Sequence, residues 1–406
     1  MPGVEEPQRL LVLGAGPPQL GVLAAARRRG LAIVAADRDP SAPGFRSADR
    51  RAIVSIEDEP AIERLARAED VHGIVAPGTD HAVAIGARVA QRLALPHPLK
   101  PETALLAASR RRQRERLDLA GIPQPRSRVC RTLDELFAAA DELGYPCVVE
   151  APDRLGERGV ARAADRDQLA AAATMALAES HDDYCLVEEL VGSRLAEVLA
   201  FALDGRLVPL LVHDREQAPP PAFGVPLAHA WPAEDPDGAA DLVAAAAEAL
   251  DVRNGPVIAQ VLLGPDGPLL AKLSARTGGG HESELCRVAT GVDPDDLAVA
   301  AALGEDVAEE RLRPLPLAGG ACVRFLVSPP GELLETRGLE AARAVPGVRS
   351  VVAYRRPGHT FAELRRASDR AGAVLAAGAS RAEATAAAEE AARLVEFVTT
   401  QAKAVA

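Results

Sequence analysis

Two periods of apolar spacing divide the chain. Residues 9–16 (RLLVLGAG) are an apolar run ending in glycine, 19–30 carry helical spacing, and 32–36 form a second apolar run closed by Asp37. Residues 53–56 and 73–76 repeat the strand pattern, and 61–68 and 81–93 repeat the helical one. Alternation of this kind predicts a parallel sheet covered on both faces. Residues 102–120 predict one basic helix, stopped by Gly121 and Pro123, and 133–143 a second. A buried strand is expected at 146–149, followed by a glycine-containing loop at 153–159. Residues 184–205 read as strand, connection and strand, and 207–212 as another strand. The proline-rich stretch 218–226 is too irregular for an element and is a candidate mobile lid.

Strands at 256–263 and 268–275 flank a tight turn, Gly264-Pro265-Asp266-Gly267, and lead into a glycine loop that carries Arg276 and His281. A helix over 282–303, with a GVDP turn, precedes a boundary at 314–316. The last part predicts strands at 320–327, 348–354 and 373–377, a helix at 339–344 and a final helix at 381–401. The expected class is α/β, α+β in part, in two or three units, because 406 residues exceed what one core usually serves.

Charge and composition narrow the partners. With 46 basic against 58 acidic residues the net charge is −12, which argues against nucleic acid or an anionic membrane but leaves small anions open to a few local arginines. No run of about 18 apolar residues exists and the start, MPGVEEPQRL, is acidic, so the expectation is a cytoplasmic protein without span or signal peptide. Cysteines 130, 147, 185, 286 and 322 form no CxxC pair and read as buried reduced thiols.

Candidate chemistry concentrates after the hairpin. Arg276 beside Gly278, Gly279 and Gly280 suits an anionic group held by a guanidinium and backbone N–H donors. The N-terminal strand, glycine turn, helix and acidic Asp37 give a weak dinucleotide signal, because Pro17 and Pro18 stand where backbone donors would face a pyrophosphate. The alternative there is a glycine turn that lets the first helix pack. Arg111 and Arg112 read as a solvated helix face. His213 and His229 are isolated in the sequence; a metal role is the lesser reading beside a surface one, and no metal ligand is assigned.

The hairpin, together with GAGPPQLG, ADRDPSAPGF, APGTDHAV and YPCVVEAPDRLGERGV (145–160), resembles the ATP-grasp superfamily of carboxylate–amine ligases. The element order in 317–400 resembles the C-terminal domain of L-amino-acid ligases. The resemblance implies a Rossmann-like pre-ATP-grasp domain over 1–104, a two-lobed ATP-grasp domain over 105–313 with a lid at about 125–190, and a C-terminal α+β subdomain over 314–406. It implies ligation of a carboxylate, such as an amino acid, to an amine through an acyl phosphate, with ATP and Mg2+. On the nucleotide side it places Arg110 at a phosphate-binding lysine, Glu150 at a second lysine, Arg158 and Gly159 in the phosphate loop, and Glu188, Glu189 and Leu190 at the adenine. Lys272 and Gln260 fall where relatives hold magnesium with glutamates, Ser274 where they have asparagine, and Arg194 where they have an acid. Arg276, as catalytic anchor, with Gly278, Gly279, Gly280 and His281, falls at the substrate pocket.

Several departures reverse charge. A carboxylate in place of a lysine repels phosphate, and one like-charge contact near 4 Å at an effective dielectric of about 20 costs roughly 4 kcal/mol. Magnesium requires oxygen ligands, which an amide at Gln260 and an ammonium at Lys272 do not supply. The reversed pair, Glu150 and Lys272, is expected to meet as an ion pair across the cleft. Three functions stay open: a ligase in which Lys272 neutralises phosphate, or Asp153, Glu282 or Glu284 supplies the missing carboxylates; a silent pseudo-ligase that binds a small acid or a partner subunit, as a homodimer or with an active ligase; and chemistry without ATP in the retained pocket.

Overall fold

A computed structural model describes residues 7–151, 159–180, 184–192 and 194–400. Strands β1 (Arg9–Leu13), β2 (Ala32–Asp37), β3 (Arg50–Ile53) and β4 (Gly73–Val75) form a parallel sheet in the order β3-β2-β1-β4. Leu11, Leu13 and Val34 pack against Ile62 and Ile85 of the helices Glu59–Ala68 and Asp80–Arg92. On the other face Leu10, Val12 and Ile33 meet Val22 and Leu23 of the helix Leu20–Arg28, and Ala298 and Val299 of the helix Pro294–Ala302. Burial on both sides explains the unbroken apolar runs of these strands. A Cβ at Gly21 would lie 2.0 Å from Asp295 Oδ2, so glycine there permits the two helices to meet. Asp37 accepts hydrogen bonds from the N–H groups of Ala15 (2.8 Å) and Asp39 (2.9 Å). This acid ties the end of β2 to the glycine turn after β1.

Strands β5 (Ser127–Cys130), β6 (Cys147–Glu150), β7 (Val160–Ala163) and β8 (Cys185–Glu189) form an antiparallel sheet in the order β5-β8-β6-β7. Leu136 and Ala140 of the helix Leu133–Leu143, with Leu169 and Ala173 of the next helix, cover it. The remaining strands are β9 (Arg194–Leu203), β10 (Arg206–Gln217), β11 (Pro226–Trp231), β12 (Gly255–Gly264), β13 (Gly267–Ser274), β14 (Gly320–Leu326), β15 (Gly331–Arg337), β16 (Val348–Ala353), β17 (Thr360–Phe361), β18 (Gly372–Gly378) and β19 (Glu396–Thr399). Eight of them join one antiparallel sheet, β13-β12-β9-β10-β11-β14-β18-β16; β17, β15 and β19 make a small separate one.

Several boundaries differ from the sequence expectations. The basic helix is two, Pro101–Ala108 and Arg110–Leu119, broken where Ser109 takes ψ 111°. The helical segment over 282–303 does divide at its GVDP turn, into Glu282–Thr290 and Pro294–Ala302, with Gly291 at φ 78°. The last helix ends at Leu394, because the apolar residues beyond it pair as β19 with β15 instead. β3 starts before the expected 53–56, set by pairing of Arg50–Ile53 with Val34–Asp37. β11, β15 and the helix Ala239–Ala249 were not foreseen. In the proline-rich loop Ala218, Ala222 and Val225 are buried, and Ala218 N–H bonds Val225 O at 2.7 Å, so the loop packs onto the body. All five cysteines are buried and unpaired, as expected. Among the described residues no helix is long and apolar enough to cross a membrane.

Candidate functional site

Strand register builds one polar face. Lys272 stands opposite Gln260, Gln260 opposite Glu197, and Glu197 opposite His213, across β13, β12, β9 and β10. Two residues further along β10, Arg215 stands opposite His229 of β11. Alternate residues of a strand share a face, so the row and the second pair look the same way. Two cavities meet at this face.

The first, about 750 Å³, is lined by Arg110, Glu150, Glu188, Glu189, Leu190, Gln260 and Lys272. The residues assigned to the nucleotide side are thus brought together, apart from Arg158, which, like Asp153, lies outside the described residues, and Gly159, which sits at φ 69° beside the lining residue Val160. Their charges, however, are already satisfied. Arg110 Nη2 lies 2.8 Å from Glu150 Oε2 and 3.7 Å from Glu188 Oε2, while Arg114 Nη2 lies 2.8 Å from Glu188 Oε1. Arg110 Nη1 donates to Ala271 O at 2.5 Å. Burial alone would push the Glu150 carboxyl up, but the Arg110 guanidinium beside it holds it below the usual carboxylate range. Further out, Glu189 pairs with Arg126 at 2.7 Å and Arg194 with Glu234 at 3.3 Å.

The expected ion pair between Glu150 and Lys272 is not formed. Glu150 has taken Arg110, and Lys272 Nζ lies 2.7 Å from Asp80 Oδ2, at the start of the helix Asp80–Arg92. Lys272 contributes only a longer-range attraction to Glu150. Gln260 Nε2 donates to Glu197 Oε1 at 3.2 Å. An amide turned donor and an ammonium bound to a carboxylate do not fit magnesium at these two positions.

The second cavity, about 500 Å³, is lined by Arg276, Gly278, Gly279, Gly280, Lys272, Ser274, Glu197 and Glu282, and by Tyr354, Arg355, Arg366 and Arg370 from the C-terminal part. Arg276 is anchored by Asp80, Nε to Oδ1 at 2.5 Å, and by Thr277 O, 2.9 Å from Nη1. Burial would raise the Asp80 carboxyl, yet Arg276 and Lys272 together hold it far below the usual range. A Cβ at Gly278 would come 2.3 Å from Glu282 Oε2, and Gly280 N–H donates to that oxygen at 2.6 Å, so the glycine loop wraps a buried carboxylate. Burial and the nearby Glu197 raise the Glu282 carboxyl. The Arg370 guanidinium lies 3.7 Å over the Phe325 ring.

His281 stands behind this wall at φ 66°, stacked on Tyr354 with ring centroids 5.8 Å apart. Its Nδ1 lies 3.1 Å from Glu284 Oε1 and its Nε2 2.7 Å from Tyr354 Oη. Burial disfavours the imidazolium, but Glu284 more than compensates, and His281 is held above the ordinary imidazole range.

His213 and His229 are wholly buried, correcting the surface reading. Burial, followed by the neighbouring His213 and Arg215, drives His229 far below the usual imidazole range, so this ring is neutral. Sequence reasoning also missed Asp80, Glu197, Arg355, Arg366 and Arg370. The only signal for Asp80 was its place in APGTDHAV, and the others follow no motif spacing.

Two family models match: the carbamoyl-phosphate synthase L chain ATP-binding domain over residues 109–199 and the L-amino acid ligase C-terminal domain 2 over 324–400. The whole fold superposes on an L-amino acid ligase from Bacillus licheniformis with a TM-score of 0.84 at 20% identity, covering 98% of this chain and 100% of that one. The chain has the ATP-grasp fold. A phosphoribosylglycinamide synthetase from Anaerococcus prevotii shares this ATP-grasp fold, at a TM-score of 0.76 and 19% identity over 97% of this chain and 100% of that one. In sequence the chain is 27% identical over 337 residues to the uncharacterized protein y4rH of Sinorhizobium fredii, covering 79% of this chain and 67% of that one. It is 33% identical over 151 residues to a formate-dependent phosphoribosylglycinamide formyltransferase of Paraburkholderia xenovorans, but spans only 36% of either chain in doing so.

Proposed function

We propose that this chain is an ATP-grasp protein that binds a small carboxylate-bearing ligand, an acidic amino acid or dicarboxylate, without running the Mg–ATP step of its relatives. The observation that carries this reading is the neutralisation of the nucleotide-side cations by the chain's own carboxylates: Arg110 by Glu150, Arg114 by Glu188 and Lys272 by Asp80. A triphosphate entering the first cavity has to displace these partners and meets Glu150 where relatives offer a lysine. The second cavity is more basic, even though Asp80 holds Arg276 and Asp369 holds Arg366. Arg276, Arg355, Arg366 and Arg370 face it, against Glu197 and Glu282 at its floor. Planar guanidinium groups suit a carboxylate bidentately, and a ligand with two carboxylates matches that surplus.

Calorimetric titration with ATP, with and without magnesium, and thermal unfolding with acidic amino acids and dicarboxylates test the proposal. The expected result is a raised Tm with the acids, lost in Arg276→Ala, and no saturable heat with Mg–ATP. Saturable, magnesium-dependent ATP binding with ADP release in an amino-acid mixture overturns it and restores the acyl-phosphate ligase.

A further inference from the structure

Beneath the arginine-lined cavity, Glu197, His213 and His229 converge with their ligand atoms all within 4.8 Å of one another. Glu197 Oε2 lies 3.6 Å from His213 Nε2 and 3.4 Å from His229 Nδ1. Both separations exceed a hydrogen bond, and these three atoms are buried without a hydrogen-bond partner. They approach the roughly 3.3 Å spacing of adjacent ligands around a tetrahedral ion with bonds of about 2.0–2.1 Å.

The opposite side of two of the three ligands, His213 and Glu197, is held. His213 Nδ1 lies 3.2 Å from Asp214 O, so its proton sits there and Nε2 presents a lone pair inward. His229 Nε2 lies 3.6 Å from Glu282 Oε1, beyond a hydrogen bond, so this ring faces a carboxylate on its far side without being tied to it. Glu197 Oε1 accepts from Arg215 Nη1 at 2.9 Å and from Gln260 Nε2 at 3.2 Å, leaving Oε2 as the inward oxygen. Three buried, unpartnered donor atoms that converge on one spot, with Glu197 and His213 fixed from behind, suit a cation between them. The Arg215 charge opposes a cation and Glu282 offsets it, so the donor set is two imidazoles and one carboxylate of near-neutral surroundings.

We propose that Glu197, His213 and His229 bind one divalent transition-metal ion of the zinc class, with its open position toward the cavity that Glu197 and Glu282 line. Nitrogen-rich donors exclude magnesium and favour zinc or its neighbours. The site begins one strand over from Gln260 and two from Lys272, and stands whether or not the cavity takes a carboxylate.

The test uses the full chain stripped with chelator, dialysed against zinc and against cobalt(II), with metal content, the visible cobalt spectrum and Tm as readouts. Expected are about one ion per chain, the intense visible bands of four-coordinate cobalt, and a zinc-dependent rise in Tm. His213→Gln and His229→Gln lose the ion and the bands while keeping the Tm of the chelated wild type. Should these variants fail to fold, the wild-type cobalt spectrum and zinc-dependent Tm decide alone. Uptake below about a tenth of an ion per chain, or variants that hold as much metal as the wild type, overturns the assignment.

Discussion

The two cavities on either side of the Lys272–Gln260–Glu197–His213 row contrast in how their charges are spent. In the first cavity Arg110 and Arg114 find carboxylates at 2.8 Å within the same wall, and Glu150 is only slightly exposed. On the other side Glu197 Oε2, His213 Nε2 and His229 Nδ1 are fully enclosed yet meet nothing within hydrogen-bond distance. A wall that completes its own pairs has nothing to gain from a ligand, whereas one with enclosed unpaired atoms gains much. Family resemblance concentrates attention on the first wall, and physical chemistry on the second.

The sharpest way to break this contrast is Arg110→Ala. If Arg110 and Glu150 are a closed buried pair, removing one partner leaves the other uncompensated and costs about 3–5 kcal/mol in urea unfolding, while the double replacement R110M/E150L returns close to wild type. A harmless Arg110→Ala would mean that the pair is wet and available to a phosphate.

Asp80→Asn comes next. It strips both Lys272 and Arg276 of a shared carboxylate, and since both are partly exposed the expected loss at pH 7 is about 2–3 kcal/mol. Because the folded Asp80 carboxyl titrates below its unfolded value of about 3.9, the stability it confers is complete above that pH and disappears as pH falls toward the folded value. The gap between wild type and variant, measured by denaturant at a series of pH values, should therefore close in acid.

His281→Gln should have the smallest effect, with the opposite sign of pH dependence. His281 titrates above its unfolded value of about 6.5, so its contribution is full below that pH and is lost as pH rises through the folded value, with a slope of at most about 1.4 kcal/mol per pH unit. Wild type and variant should converge in mild alkali. A gap that stays constant would show that the ring acts by packing on Tyr354 alone.

Much of the architecture was legible because it rests on local pattern. The β12–β13 hairpin announced itself through its turn residues, and Gly264 does stand opposite Gly267. The N-terminal sheet followed from alternation, and Arg110, Glu150, Glu188 and Lys272, which resemblance put on one side, line a single cavity. What was not legible depends on distance in sequence. Asp80 reaches Arg276 from 196 positions away, and that competition drew Lys272 off Glu150. Glu197 and His213 meet only because the register shifts between Pro209 and Leu211, an irregularity that no periodicity reveals. The C-terminal arginines joined the pocket through the pairing of β11 with β14, not through any motif.

That same junction gives the C-terminal part a protective duty. Strand β14 covers the outer side of β11, so a chain cut before residue 314 would present a bare row of amide and carbonyl groups along β11. Such an edge recruits strands from other molecules, and a shortened form should self-associate instead of surviving as a smaller soluble enzyme-like body.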